Sequence, residues 1–141
     1  GWMVESLQQQ LRAHPQRGQR LFWLERASDA MLEALYAGCT ALLAASQGEG
    51  FGLPLIEAAQ KGLPLIARDL PVFREVAGEH AHYFDGFAAQ DLAGAIRQWL
   101  HLHARNAHPH PQGLPWLTWA QSTAQLSRAV LDGQWQSAWQ P

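Results

Sequence analysis

Residues 40–58 have the sequence TALLAASQGEGFGLPLIEA, in which an apolar run, a glycine-rich segment and a helical pattern follow one another. The apolar run over 40–45 is typical of a buried parallel strand, and we expect it to be central in its sheet. Residues 46–52 contain three glycines and predict a loop. Pro54 suits the first turn of a helix, where a missing N–H is harmless, and this helix is expected to end at Lys61 before Gly62.

The rest of the chain continues this alternation of strands and helices. Apolar residues at helical spacing predict helices over 4–14, 28–38, 71–77, 89–103 and 118–131. Ser28 and Thr118 are the expected N-caps of the second and the last of these helices. Short apolar runs predict strands over 20–24, 63–67 and 81–84. The pattern predicts an α/β fold with a Rossmann-like parallel sheet and helices on both faces. Ligands of such sheets bind at the carboxyl edge of the strands, where the loop over 46–52 is expected to lie.

The composition is that of an ordinary soluble globular protein, and 141 residues fit one domain. A net charge of −2 gives no indication of nucleic-acid binding. Cys39 is the only cysteine, which rules out an internal disulfide and fits a reducing compartment. No apolar run is long enough for a membrane span and no signal peptide opens the chain. We therefore expect a cytoplasmic location, with the inner face of a membrane as the alternative.

The loop carries the residues with the most evident chemistry. Gly48, Gly50 and Gly52 allow sharp turns and a close approach to a ligand. The N-terminus of the following helix favours a phosphate at the same place. Glu49 and Glu57 lie on either side of that helix N-terminus, so two carboxylates could accept hydrogen bonds from hydroxyl groups on either side of a bound diphosphate. The pattern is neither a Walker loop nor a GxGxxG motif.

The segment EGFGLPLIEA (49–58) resembles the Glu-x7-Glu signature of the family 4 retaining glycosyltransferases. Further segments similar to that family are SDAMLEALYAGCTALLAAS (28–46), KGLPLIARDLPVFREVAG (61–78) and DLAGAIRQWL (91–100). The resemblance covers nearly the whole chain. It implies the C-terminal, donor-binding half of a GT-B enzyme, which transfers a sugar with retention from a nucleotide diphosphate sugar and needs no metal.

The resemblance also implies roles for individual residues. Glu49, the candidate catalytic-site residue, would hold hydroxyls of the donor sugar and is not a nucleophile. Glu57 would accept hydrogen bonds from the ribose. Asp29 would favour guanine and hence GDP, although a carboxylate in the first turn of a helix has a purely structural explanation. The remaining expected donor-binding residues are Gly50, Phe51, Gly52 and Leu53 around the sugar and distal phosphate, and Ala27 near the base.

Some features of a complete site are missing from the sequence. The family's Arg and Lys that neutralise the leaving diphosphate are not identifiable, since Arg17 and Arg20 lie at the wrong edge. No strand precedes the first helix. We therefore expect residues 1–141 to be a donor domain truncated at its N-terminal end, lacking the acceptor domain and inactive without it. Its partners would be a nucleotide sugar, that acceptor domain, and a glycan or lipid-linked acceptor.

The function implied by the resemblance is transfer of a hexose, with GDP-mannose as the assumed donor, in envelope polysaccharide or lipopolysaccharide synthesis. One alternative is another GT-B enzyme, a phosphorylase or an epimerase. A phosphorylase needs a cofactor lysine, and the single lysine, Lys61, lies at a helix end away from the loop. The other alternative is a non-catalytic nucleotide-sugar-binding or scaffold domain.

The remaining polar and aromatic residues have simpler explanations. We expect the histidines at 101, 103, 108 and 110 to be exposed and not to bind a metal. Arg68 and Asp69 follow a strand at the ligand edge and could approach the donor, but a local ion pair is the simpler role. Packing is expected for Leu92, Ile96, Trp99 and Leu100, which point inward on their helix, and for Ala120, Leu126 and Val130 on the last helix. Trp99, Trp116 and Trp119 are expected to pin that last helix, and the alternatives for the tryptophans are a carbohydrate-stacking platform and, for some of them, an interface role.

Overall fold

A computed structural model describes residues 4–133 of the chain. The helices are α1 (Glu5–Ala13), α2 (Asp29–Gly38), α3 (Leu53–Gln60), α4 (Pro71–Ala77), α5 (Ala89–Ala104) and α6 (Trp119–Leu131). The strands are β1 (Leu42–Ala44), β2 (Leu65–Arg68) and β3 (Ala81–Phe84), with a 3₁₀ turn at Gly78–His80 before β3. The chain forms two compact units that divide between Leu35 and Tyr36.

The first unit contains α1 and an irregular segment that leads into α2. The strand predicted over 20–24 is wrong, since Leu21 makes only an isolated bridge with Arg17. Phe22 is 68% exposed, so the apolar run is not covered as a buried strand must be. A run of apolar residues becomes a strand only when a second strand pairs with it, and the described residues supply none here. The predicted cap of α2 is confirmed, because Ser28 Oγ accepts a hydrogen bond from Met31 N–H at 3.2 Å.

The second unit is built on a parallel sheet in the order β1-β2-β3. Leu65 of β2 pairs with Leu42 on one side and with Ala81 on the other. β2 is therefore the central strand of the described sheet, and the expectation that residues 40–45 are central is wrong. β1 is an edge strand in the described chain because no described segment pairs with its other side.

The core lies on both faces of the sheet. Leu65 and Ala67 point to one face, where they pack among buried side chains that include Phe73 of α4. Ile66 points to the opposite face and packs with Phe84 and with Trp99 of α5. All four positions of β2 are buried, as expected for a strand covered on both sides. The predicted α/β class, with a parallel sheet and helices on both faces, is confirmed.

β2 begins two residues later than predicted, because the backbone of residues 62 and 63 takes part in the ending of α3. Gly62 has φ +72°, and its N–H donates to Ala59 O at 2.9 Å. The N–H of Leu63 donates to Ala58 O at 3.0 Å, and its side chain is buried. This pattern of two bonds is the Schellman ending of a helix, so residues 62 and 63 cannot also join the ladder.

The last two helices begin where the sequence predicts but bury fewer side chains. In α5, Trp99 is 2% exposed and Ala95 is buried, whereas Leu100 is 51% exposed. The predicted inward orientation of Leu100 is therefore wrong. Among residues 4–133 no helix is both long and apolar enough to cross a bilayer.

Helix α6 has its predicted cap, since Thr118 Oγ1 accepts from Gln121 N–H at 3.2 Å. Its expected burial is wrong: Leu126 is 65% exposed, Val130 is 60% exposed, and Ala120 is also exposed. An amphipathic pattern identifies the apolar face of a helix but supplies no surface to cover it. Of the three tryptophans expected to pin this helix only Trp99 is buried, since Trp116 is 47% exposed and Trp119 is 90% exposed.

Candidate functional site

The glycine loop, residues 46–52, leaves the carboxyl end of β1 and enters α3. Parallel strands place their carboxyl ends at one edge, so the loop lies at the edge where doubly wound sheets bind ligands. Its position between a strand and a helix N-terminus is the one predicted from the sequence.

Gly52 is the glycine that the backbone of this loop requires. It is the N-cap of α3, with φ +94° and ψ +38° in the left-handed region. A Cβ at this position would lie 2.9 Å from Cε1 of Phe73, which is itself 1% exposed. Gly48 and Gly50 have no left-handed φ, and a Cβ at either would meet open space. The sharp-turn interpretation of the three glycines therefore holds for Gly52 alone.

Glu49 is held by the residue that begins the loop. Ser46 Oγ donates a hydrogen bond to Glu49 Oε1 at 2.9 Å. The carboxylate lines a small cavity of about 180 Å³ at the end of β1, which Phe73 and Pro54 also line. A carboxylate has several lone pairs, so one bond from Ser46 orients the group and leaves it able to accept further hydrogen bonds.

Glu57 is held by a tyrosine that the sequence analysis did not single out. Tyr36 of α2 is 9% exposed, and its hydroxyl donates to Glu57 Oε2 at 3.0 Å. A buried tyrosine hydroxyl ordinarily needs a partner, so a tyrosine on the inner face of α2 could have been expected to find one. Both bracketing glutamates therefore have a hydroxyl donor that fixes their orientation.

Arg68 and Asp69 do not form the ion pair expected between them. The Arg68 guanidinium turns to the glycine loop, where Nε donates to Ser46 O at 2.9 Å and Nη2 donates to Ala45 O at 3.2 Å. Asp69 instead accepts two bonds of 2.7 Å from Arg74. The hydrogen bond from Arg74 lowers the pKa of Asp69, against a smaller opposing effect of desolvation. The expected local ion pair exists, but Arg74 is its cation.

A larger apolar groove of about 790 Å³ adjoins the other side of α3. Glu57 is among its polar residues, and three aromatic side chains also line it. Residues that line it include Phe51, Leu53, Val76, Trp116 and Trp119. Phe51 and Leu53, two of the predicted donor-binding residues, therefore face the same groove as Glu57.

Ala27 and Asp29 belong to the first compact unit. Ala27 precedes α2, and Asp29 is the first residue of that helix, with both side chains exposed. A carboxylate at this point interacts favourably with the helix dipole, which is the structural explanation already expected for Asp29. The role of the two residues in recognising a base stays a prediction.

The histidines near the C-terminal end of α5 are not all exposed. His108 is 8% exposed, with its ring 5.6 Å from the Trp99 ring and 4.5 Å from that of His110. Its predicted exposure is wrong, because the chain after α5 turns back so that the His108 ring packs beside Trp99 of that helix. Burial, followed by the charges of His110 and His103, lowers the pKa of His108. In residues 4–133 no group of three or more histidine, cysteine or acidic side chains could hold a metal ion.

Comparison with known protein families identifies the chain. Residues 4–113 match the family described as "Glycosyl transferases group 1", which is more than half of the chain. The chain belongs to this family. The expectation of a glycosyltransferase domain, drawn from the Glu49 to Ala58 segment, is thereby confirmed at the level of the family.

This group 1 glycosyltransferase chain is similar to enzymes named as mannosyltransferases. It is 59% identical over 122 residues to the "Serotype-specific mannosyltransferase WbdA" of Escherichia coli, a match covering 86% of the chain and 15% of that protein. A second WbdA is 58% identical over 126 residues, which is 89% of the chain and 16% of that protein. The "O-antigen chain mannosyltransferase RfbU" of Salmonella typhimurium is 37% identical over 78 residues, or 55% of the chain and 22% of that protein. The chain thus spans about 15% of the length of its WbdA relatives.

Proposed function

We propose that residues 1–141 are the donor-binding domain of a family 4 retaining glycosyltransferase with the GT-B fold. One observation carries the proposal. Glu49 and Glu57 stand before and within the first turns of α3, and each is oriented by a hydroxyl donor, Ser46 and Tyr36 respectively. Two oriented carboxylates beside a helix N-terminus suit a ligand with hydroxyl groups on both sides of a phosphate.

Each part of the loop has a task in this proposal. The diphosphate lies at the N-terminus of α3, where the first backbone N–H groups of a helix have no helical acceptor. The N–H groups of Phe51, Gly52 and Leu53 donate to the distal phosphate and the sugar, and Gly50 allows their close approach. Gly52 has no Cβ that would push this backbone away from Phe73.

Glu49 accepts hydrogen bonds from hydroxyls of the donor sugar, and Glu57 accepts from the ribose. Glu49 acts by binding and not as a nucleophile. The bond between the sugar and the distal phosphate breaks, a new bond forms between the sugar and a hydroxyl oxygen of the acceptor, and the hydroxyl proton leaves with the nucleoside diphosphate. The negative charge that develops on the distal phosphate is stabilised by the α3 N-terminus. No metal has a part in this mechanism.

A mannose donor is supported by the names of the relatives, which include WbdA mannosyltransferases and an O-antigen chain mannosyltransferase. We propose GDP-mannose as the donor, with the base near Ala27 and Asp29, and a glycan or lipid-linked glycan of the cell envelope as the acceptor. An acceptor domain completes the active site, and transfer takes place in the cytoplasm, where sugar nucleotides are available.

Calorimetric titration tests the assignment of the site. GDP, UDP, ADP and GDP-mannose are titrated into the wild-type protein and two variants. Glu57→Ala should weaken GDP binding by about 1–3 kcal/mol, since it removes hydrogen bonds to a charged acceptor. Glu49→Ala should spare GDP and weaken only GDP-mannose.

The control is Glu79→Ala. Glu79 lies in the 3₁₀ turn that precedes β3, at the amino edge of the sheet and away from the loop. Glu79→Ala removes a carboxylate just as the two test variants do, and it should change the affinity for neither GDP nor GDP-mannose. Unchanged GDP affinity in Glu57→Ala would refute the ribose assignment. Failure of the wild type to bind any of the four ligands would favour a non-catalytic scaffold domain.

A further inference from the structure

Arg68 is a buried cation at the end of the central strand. It is the last residue of β2 and is 7% exposed. Within the described chain it makes no ion pair, and its hydrogen bonds go to backbone carbonyls. Burying an arginine away from a carboxylate is costly, and an apolar side chain would fill the same space without that cost. Its bonds therefore need a reason beyond packing.

Those bonds join β2 to the first two residues after β1. Nε and Nη2 of Arg68 donate to the carbonyls of Ser46 and Ala45, at 2.9 Å and 3.2 Å. The planar guanidinium lies 5.0 Å from the Phe84 ring and 4.7 Å from the Phe87 ring. A rigid planar fork packed against two aromatic rings can hold two adjacent carbonyls in one geometry.

Ser46, whose carbonyl oxygen accepts from Arg68, is also the residue that orients Glu49. Ser46 uses its carbonyl oxygen for Arg68 and its hydroxyl for Glu49 Oε1, 2.9 Å away. A displacement of Ser46 by about 1 Å would take that second bond beyond hydrogen-bonding distance. Nη1 of Arg68 is enclosed by protein atoms, so the guanidinium does not present this nitrogen to a bound ligand.

We propose that Arg68 is a positioning residue for the donor sugar, acting through Ser46 on the carboxylate of Glu49. The inference rests on the proposed function, because it takes Glu49 to be the residue that binds the sugar. Arg68 is therefore expected to affect the binding of the donor's sugar and not the binding of its nucleotide.

The first experiment measures binding by the natural full-length gene product. In Arg68→Met the affinity for GDP-mannose should fall about tenfold, the effect of one lost hydrogen bond to a charged group, while the affinity for GDP changes less than about twofold. Arg68→Lys keeps the charge and one donor and should recover part of the loss. Ser46→Ala breaks the same connection without altering a buried charge, so it should reproduce the selective loss even if Arg68→Met folds poorly.

A double-mutant cycle separates positioning from a general structural role. In a Glu49→Ala background, Arg68→Met should cause no further loss of GDP-mannose affinity, because the carboxylate that it positions is already gone. Equal losses for GDP and GDP-mannose, or additive losses in the double variant, would overturn the proposal.

Hydrogen exchange without ligand distinguishes failure of this inference from failure of the proposed function. Arg68→Met should accelerate amide exchange in residues 45–52 and leave exchange in α5 unchanged. Unchanged exchange in the loop overturns the positioning role. If Glu49→Ala retains full affinity for GDP-mannose, the proposed function and the effect on sugar binding both fail, and faster loop exchange would then show that Arg68 holds the loop for another purpose.

Discussion

Replacement of Gly52 by alanine tests whether the glycine loop has the conformation described. The residue has φ +94°, a region in which a residue with a Cβ is strained by about 1–2 kcal/mol. The new methyl group would also lie 2.9 Å from Phe73 Cε1. Phe73 is 1% exposed and cannot swing into solvent, so this contact acts as overpacking, which costs about 1–3 kcal/mol. With partial relaxation of the ring, Gly52→Ala should destabilise the fold by about 2–4 kcal/mol.

Gly50→Ala provides a matched control two residues earlier. Gly50 has no left-handed φ, and its Cβ would meet open space, so the change should alter the free energy of unfolding by less than about 1 kcal/mol. Thermal unfolding of the 141-residue chain, followed by far-ultraviolet circular dichroism, measures both variants. At about 4 °C per kcal/mol for a chain of this size, Gly52→Ala should melt about 8–16 °C below the wild type.

The comparison between the two variants decides the outcome. Melting of Gly52→Ala within about 2 °C of the wild type would refute both the strained φ and the contact with Phe73. Equal destabilisation by Gly50→Ala and Gly52→Ala would instead show that the loop as a whole, and not residue 52, requires glycine.

Three further predictions concern residues outside the loop. Tyr36→Phe removes the hydroxyl that orients Glu57 and should weaken GDP binding by about 0.5–1.5 kcal/mol in calorimetry, an effect that should vanish in a Glu57→Ala background. Burial lowers the pKa of His108 and of His82, so the unfolded chain binds protons more readily than the folded one. Their neutral forms favour folding fully above about pH 6.5, and stability should fall as the pH decreases below that value. His108→Gln should flatten this dependence in urea titrations, and a parallel shift at all pH values would contradict it. Leu126→Ala should leave the melting temperature within about 2 °C of the wild type, because Leu126 is 65% exposed, whereas a large drop would show that α6 is covered.

Features governed by neighbouring residues along the chain could be predicted from the sequence. Ser28 and Thr118 are predicted helix caps, and both accept the expected backbone hydrogen bonds. The helix over 71–77 and the strand over 81–84 have the predicted bounds. These features depend on side-chain spacing and on the first turn of a helix, which are local.

The predictions from the sequence are wrong where a strand needs a second segment to pair with it, or where an apolar face needs a second segment to bury it. The run over 20–24 has strand composition but only an isolated bridge, and the apolar face of α6 remains exposed. The sequence predicts an exposed His108, whereas its ring packs beside Trp99. The periodicity of a segment indicates what it can bury, and the surface that buries it is a property of the assembled chain.

The glycine loop shows both contributions within one site. The sequence is enough to predict that a strand, a glycine-rich loop and a helix follow one another, with Glu49 and Glu57 on either side of the helix N-terminus. The contact of Arg68 with Ser46, 22 residues away along the chain, and that of Tyr36 with Glu57, 21 residues away, appear only in the tertiary structure. A hydrogen bond depends on distance and angle in space, and the pairing of β1 with β2 brings Arg68 beside Ser46.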